Sequence, residues 1–170
     1  MKKSIWMLGL GLVLIFIFGL NVHAQSNEVT ESGNTSYYTT FKTFPLEHNI
    51  RGYMTWENFG VFVSDTGEGL FHGVTVRCVG ANYWETWNWE GEGYCAYNLK
   101  DGEKVFLKVK MGGNAGNPLP PYQGTSKIIS GTGKYAGIEG RTEFTSYPLR
   151  PSAEGIGQSF SKVKIIYKLR

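Results

Sequence analysis

The segment Asn98-Leu-Lys-Asp-Gly-Glu-Lys-Val105 constrains the fold more than any other stretch of this chain. Asp-Gly between two alternating runs is the strongest short-range hairpin signal, because a tight turn between twisted strands needs residues that accept positive φ. Beyond the turn, Val105, Leu107, Val109 and Met111 alternate with Lys104, Lys108 and Lys110. That period of two puts the first set on a buried face and the lysines in water. With Asp101 and Gly102 as the two turn residues, Lys100 faces Glu103, Asn98 faces Val105, Ala96 faces Leu107, Tyr94 faces Val109 and Glu92 faces Met111. The partner strand is then expected to turn Asn98, Ala96, Tyr94 and Glu92 inward, and Leu99, Tyr97 and Cys95 outward.

Similar runs, bounded by Gly, Asn, Asp and Pro, recur along the chain at 37–44, 52–57, 61–64, 70–83, 90–99, 104–111, 126–130, 142–147 and 160–169. In the last of these Val163, Ile165, Tyr167 and Leu169 alternate with Lys162, Lys164 and Lys168. No helical periodicity follows the first residues, and 112–121 and 147–157 read as loops from their Pro and Gly content. The pattern predicts one all-β domain over 37–170: a single antiparallel β-barrel, mostly a meander, of about eight strands. Closure removes exposed edges, and a barrel of that size has room for side chains or one small ligand. A β-sandwich is the alternative.

The chain opens with Lys2 and Lys3, an apolar run from Ile5 to Leu20, and Val22-His23-Ala24. This is the pattern of a secretory signal peptide over 1–24, cleaved after Ala24. Residues 25–36 are polar and are expected to be a flexible N-terminal arm. The expected location is periplasmic or secreted. The whole sequence carries 17 Lys and Arg against 14 Asp and Glu, so without the two leader lysines the charge is near neutral. With no basic stripe, nucleic acid and acidic membrane surfaces are not expected as partners, and no membrane association is expected after cleavage.

Cys78 and Cys95 are the two cysteines. An even pair in an oxidising compartment is most simply one disulfide, with two free thiols or a metal site as alternatives. No metal is expected, since His48 and His72 show no ligand spacing with either cysteine. If the two cysteines bridge the hairpin that precedes Asp101, Cys78 faces outward with Cys95, and Thr75, Arg77 and Val79 face inward. The expected cavity residues are then Arg77, Glu92, Tyr94, Asn98 and Thr75, with Arg77 and Glu92 either paired as a plug or lining a ligand pocket. The same register pairs Trp84 with Trp89, both outward. It leaves Thr86-Trp87 as a two-residue turn of poor turn chemistry, so a bulge or a longer loop is expected. Trp84, Trp87 and Trp89 are candidates for an aromatic rim over the cavity mouth, or for a cross-strand pair that only stabilises the hairpin end.

The segment "SGTGKYAGIEGRTEFTS" (130–146) reads as strand end, Gly-rich turn, short helical turn and strand. Its spacing fails the phosphate-loop fingerprints, and no nucleotide or other cofactor is expected. Taken with "GEGYCAYNLKDGEKVF" and the terminal "KIIYKLR", it resembles a group of small exported bacterial β-barrel proteins that look related to the allene oxide cyclase and dirigent-like barrels. The resemblance spans 77–106 and 130–170. It implies an eight-stranded antiparallel barrel with an apolar cavity, small hydrophobic and often oxygenated ligands, and a homo-oligomer (dimer or trimer). No catalytic motif of that superfamily matches residue by residue.

Three functions from different classes follow. The preferred one is a binding barrel for a small hydrophobic or aromatic molecule. The second is an isomerase or cyclase in which Glu92 acts as acid or base and Arg77 or Tyr94 stabilises an anion. The third is a structural or self-associating protein that docks through outer aromatic side chains.

Overall fold

The computed structural model describes residues 28–115, 120–149 and 153–170. The expected signal peptide and the start of the expected arm lie outside the described residues. Eight antiparallel strands follow one another in chain order and close into a barrel. They are β1 (Val29–Leu46), β2 (Arg51–Ser64), β3 (Val74–Glu85), β4 (Asn88–Asn98), β5 (Lys104–Asn114), β6 (Tyr122–Gly131), β7 (Glu139–Pro148) and β8 (Ile156–Lys168). Closure comes from β1 pairing with β8, from Val29↔Tyr167 to Thr40↔Ile156. The all-β barrel expectation therefore holds.

Three expected boundaries are corrected. Residues 29–36, expected in a flexible arm, form the first part of β1; all of them pair with β8, and 33–36 pair with β2 as well. Their alternation of buried and exposed positions (Glu31, Gly33 and Thr35 in, Ser32, Asn34 and Ser36 out) was hidden because the inward side chains are small or polar. The runs at 52–57 and 61–64 are one strand, continuous through Asn58-Phe59-Gly60. Residues 70–73, expected at the head of a strand, belong instead to the loop after β2.

The lumen is layered. At the end that holds the N-terminus of β1, the floor is apolar: Phe62, Val74, Val76, Val105, Leu107 and Ile165 are fully buried or nearly so. The loop between β2 and β3 folds over this floor and buries Phe71 completely. Phe71 meets Tyr97 and Tyr167 edge to face, at centroid distances of 5.8 and 5.2 Å. Burial of large apolar side chains here supplies the main driving force for folding.

The narrow lumen takes the Trp56 indole because the strands beside it are notched. Gly80 and Gly93 sit opposite each other on β3 and β4. The Trp56 indole lies across both, and a Cβ at Gly80 would collide with the ring and with the Glu92 carbonyl. Such close approaches are a usual reason for glycine within a strand.

Candidate functional site

The β4–β5 turn decides which residues can form an interior site. The Leu99 amide donates to the Glu103 carbonyl (2.8 Å), and the Gly102 amide to the Leu99 carbonyl (3.0 Å). The loop is therefore three residues, Lys100-Asp101-Gly102, with Gly102 at φ 89°. The pairing that results is Tyr97↔Val105, Cys95↔Leu107 and Gly93↔Val109. This is one residue away from the register expected for a two-residue turn, and a slip of one turns every side chain over. Val105, Leu107 and Val109 are buried as expected, but their inward partners are Tyr97, Cys95 and Gly93.

The five expected cavity residues consequently lie on the outer wall. Arg77 pairs with Glu57 (2.6 Å) and sits 5.7 Å from the Phe59 ring centroid. Glu92 pairs with Lys108 (3.0 Å). The hydrogen bond from Lys108 holds the Glu92 carboxyl below its usual range, the reverse of what a buried acid–base group needs. Tyr94 is exposed under Lys108, whose Nζ is 5.9 Å from the ring centroid. Asn98 donates through Nδ2 to Thr75 Oγ1 (3.2 Å), also on the outside.

Cys78 and Cys95 form a disulfide, and both are buried in the lumen rather than facing outward. Their direct pairing and the Trp84↔Trp89 pairing agree with the expected β3–β4 register. Its sense is inverted, so both tryptophans share the inward row with the disulfide. Thr86-Trp87 does form a two-residue turn, with Thr86 at φ 57°. Trp87 is 68% exposed at its tip.

The interior between floor and mouth contains a polar belt that sequence reasoning missed. A cavity of about 40 Å³ is lined by Tyr37, Asn58, Tyr97, Tyr122, Ser126, Thr142, Ser146 and Ser161, with Trp56, Val109, Val163 and the disulfide among its apolar walls. Asn58 Oδ1 is buried and has no hydrogen-bond partner in the protein, and Ser146 lies beside the Tyr122 hydroxyl, which bonds it. Burial pushes the hydroxyl pKa values of Tyr37, Tyr97 and Tyr122 up, that of Tyr97 to about 12. All three are therefore neutral donors at physiological pH. The signal for this belt lay in the alternation Ser126, Ile128 on β6 and Thr142, Phe144, Ser146 on β7. It is faint, because Ser and Thr serve equally well on an outer face.

Above the belt the lumen becomes aromatic. Tyr122 roofs the cavity and packs edge to face on Trp89, with centroids 4.8 Å apart. Trp89 Nε1 is likewise buried without a protein partner. Trp56 Nε1 donates to Asn82 Oδ1 (2.8 Å), which anchors the indole between belt and mouth. Among the described residues, no cluster of His, Cys, Asp and Glu is arranged to hold a metal ion.

No protein-family model and no curated protein matches the sequence. Among solved structures, the pterocarpan synthase dirigent protein is similar at a TM-score of 0.45 and 10% identity, over 85% of this chain and 93% of that one. A likeness this distant carries neither an activity nor a residue across to this chain.

Proposed function

We propose that the barrel binds a small apolar or aromatic molecule through its mouth, with one hydroxyl or carbonyl group of the ligand reaching the polar belt. The observation that carries this reading is the unpartnered Asn58 Oδ1, facing one cavity with Ser146 and three tyrosines. A buried polar group without a partner costs about 1–3 kcal/mol. A ligand group, or water that a ligand displaces, recovers that cost. An amide flip exchanges acceptor for donors, so Asn58 can meet either a hydroxyl or a carbonyl. Of the tyrosine hydroxyls around it, those of Tyr37 and Tyr97 bond each other and that of Tyr122 bonds Ser146, so a ligand group joins a network already in place. The cavity itself admits only the head of a ligand, and Met111, Phe144 and Trp89 suit an apolar body behind it.

Binding is favoured over catalysis by the charge pattern. Along the inward rows of the strands Glu31 is the one charged side chain, and it is engaged at the closed end. The residues on which an isomerase or cyclase reading rested are on the outer wall. The disulfide is in keeping with an exported protein, and no helix among the described residues is long and apolar enough to cross a membrane.

The test is a titration of alkyl phenols, fatty alcohols and ketones against tryptophan fluorescence, since Trp56 and Trp89 border the site. Saturable binding is expected. Ser146→Leu, which fills the cavity, should weaken it at least tenfold, and Asn58→Ala, which removes the amide without overfilling, should weaken it less. Absence of any response across the panel, or full affinity in both variants with strand content intact, would overturn the reading.

A further inference from the structure

The mouth of the barrel is uneven. The β1–β8 ladder ends at Thr40↔Ile156, whereas β1 and β2 stay paired as far as Leu46↔Arg51. The β3–β4 hairpin rises beside them, with Arg51 opposite Glu85. The two turns are joined, because the Thr86 amide donates to the Ile50 carbonyl (2.7 Å). Together they form one projecting tip.

This tip carries large apolar side chains in water: Phe44, Leu46, Ile50 and Tyr53 on the first hairpin, each about half exposed, and Trp87 at the end of the second. Among the described residues, every non-glycine in left-handed backbone conformation is also here: Glu47, His48 and Thr86. Such backbone costs on the order of 1–3 kcal/mol per residue and persists where its surroundings enforce it, often at functional sites. Here it sets the two turns that present Ile50 and Trp87 outward. The tip's one arginine is held by two carboxylates, since Arg51 bridges Glu85 (2.6 Å) and Glu47 (3.6 Å), so no cation is left over among these three charges.

We propose that this tip inserts into a neutral lipid surface and docks the barrel mouth-first on it. Indole, phenol and aliphatic side chains together at a projecting edge are the chemistry that partitions into the headgroup and upper acyl region. The convex form gives little area to a flat protein partner. The internally paired charges give no attraction to anionic lipid. This goes beyond the expectation of no membrane contact, which rested on net charge and on the lack of a second apolar span. Peripheral insertion of a few side chains needs neither. It also places the lumen's mouth next to a reservoir of apolar molecules, although docking stands on the tip alone.

The experiment is flotation of residues 25–170 with phosphatidylcholine vesicles, with and without added phosphatidylglycerol, in low and high salt. Binding is expected to phosphatidylcholine alone and to be insensitive to both additions. Trp87→Asp and Ile50→Asp should each lower the bound fraction at least tenfold while strand content is kept. Brominated phosphatidylcholine should quench the fluorescence difference between wild type and Trp87→Phe. Ser146→Leu should still float, so loss of the cavity ligand and loss of docking are separable. No flotation, flotation only with phosphatidylglycerol, or equal flotation of the Asp variants would overturn the proposal. So would a change of oligomeric state in Trp87→Asp without any vesicle binding by the wild type, which would assign the tip to self-association.

Discussion

Glu31 shows how one residue can shut one end of a barrel. Its carboxylate accepts from the Leu70 amide (2.8 Å), the Phe71 amide (3.1 Å) and the Tyr167 hydroxyl (2.8 Å). Two of these donors belong to the loop that covers the floor, so the carboxylate ties that loop to β1 and β8. Hydrogen bonds to a charged acceptor are worth more than neutral ones. Glu31→Gln replaces one oxygen by an amide that cannot accept, and sets donor against donor in a buried place. A loss of about 1–3 kcal/mol is expected in urea melts. Cleavage within 65–73 by a protease should become faster, because the loop would open without global unfolding. Unchanged stability and unchanged cleavage would show that the loop is held by Phe71 packing alone.

At the scale of elements, the β3–β4 hairpin joins the closed and open halves of the lumen. The Cys78–Cys95 bridge spans a separation of 17 residues in the middle of the ladder. A loop of that size gives about 3 kcal/mol in the chain-entropy view. Reduction is expected to lower the melting temperature by several degrees without loss of the barrel, since the backbone ladder and the packing of Trp56 on Gly80 and Gly93 remain. A melt that is the same with and without reductant would place the hairpin's stability in that packing alone. The sequence made the strands, the cysteine pairing and the β3–β4 register legible, because all three follow from alternation and from one even pair of thiols. For the site residues it misled at one turn. Asp-Gly marks the turn, but Lys100 belongs to the loop too. That one residue moved Arg77, Glu92, Tyr94, Asn98 and Thr75 from outside to inside. The conflict was visible: the expected register exposed Leu99 and Tyr97 while burying Glu92. Disagreement between burial pattern and turn chemistry marks the weaker inference, and here the structure follows the burial pattern. The polar belt was not legible, because Ser and Thr leave no face preference; of the tip only Trp87 stood out in the sequence, and the exposure of Phe44 is a property of closure.

For the molecule as a whole, the belt makes stability depend on alkaline pH. Burial raises the pKa of Tyr97 to about 12, that of Tyr37 well above its ordinary value and that of Tyr122 above it too. In the unfolded chain these phenols ionise near 10. Between the two values the folded state holds more protons than the unfolded state, so stability falls as pH rises. The contribution is fully present below pH 10 and is lost as pH climbs towards 12. Each such tyrosine adds a slope of up to about 1.4 kcal/mol per pH unit in that window. Urea melts from pH 8 to pH 11.5 should be level at first and then decline steeply. Phenolate absorbance should lag for the buried tyrosines until the barrel unfolds. Tyr97→Phe removes one ionisable group from the belt, and its decline should be shallower by about one proton's slope even if its stability at pH 8 is lower. A ligand that accepts from these hydroxyls should steepen the onset, since it binds only the neutral form. Equal slopes in wild type and Tyr97→Phe would mean that the hydroxyl is reached by water in the folded state. The belt would then be an open channel rather than the enclosed head-group site on which the binding reading stands.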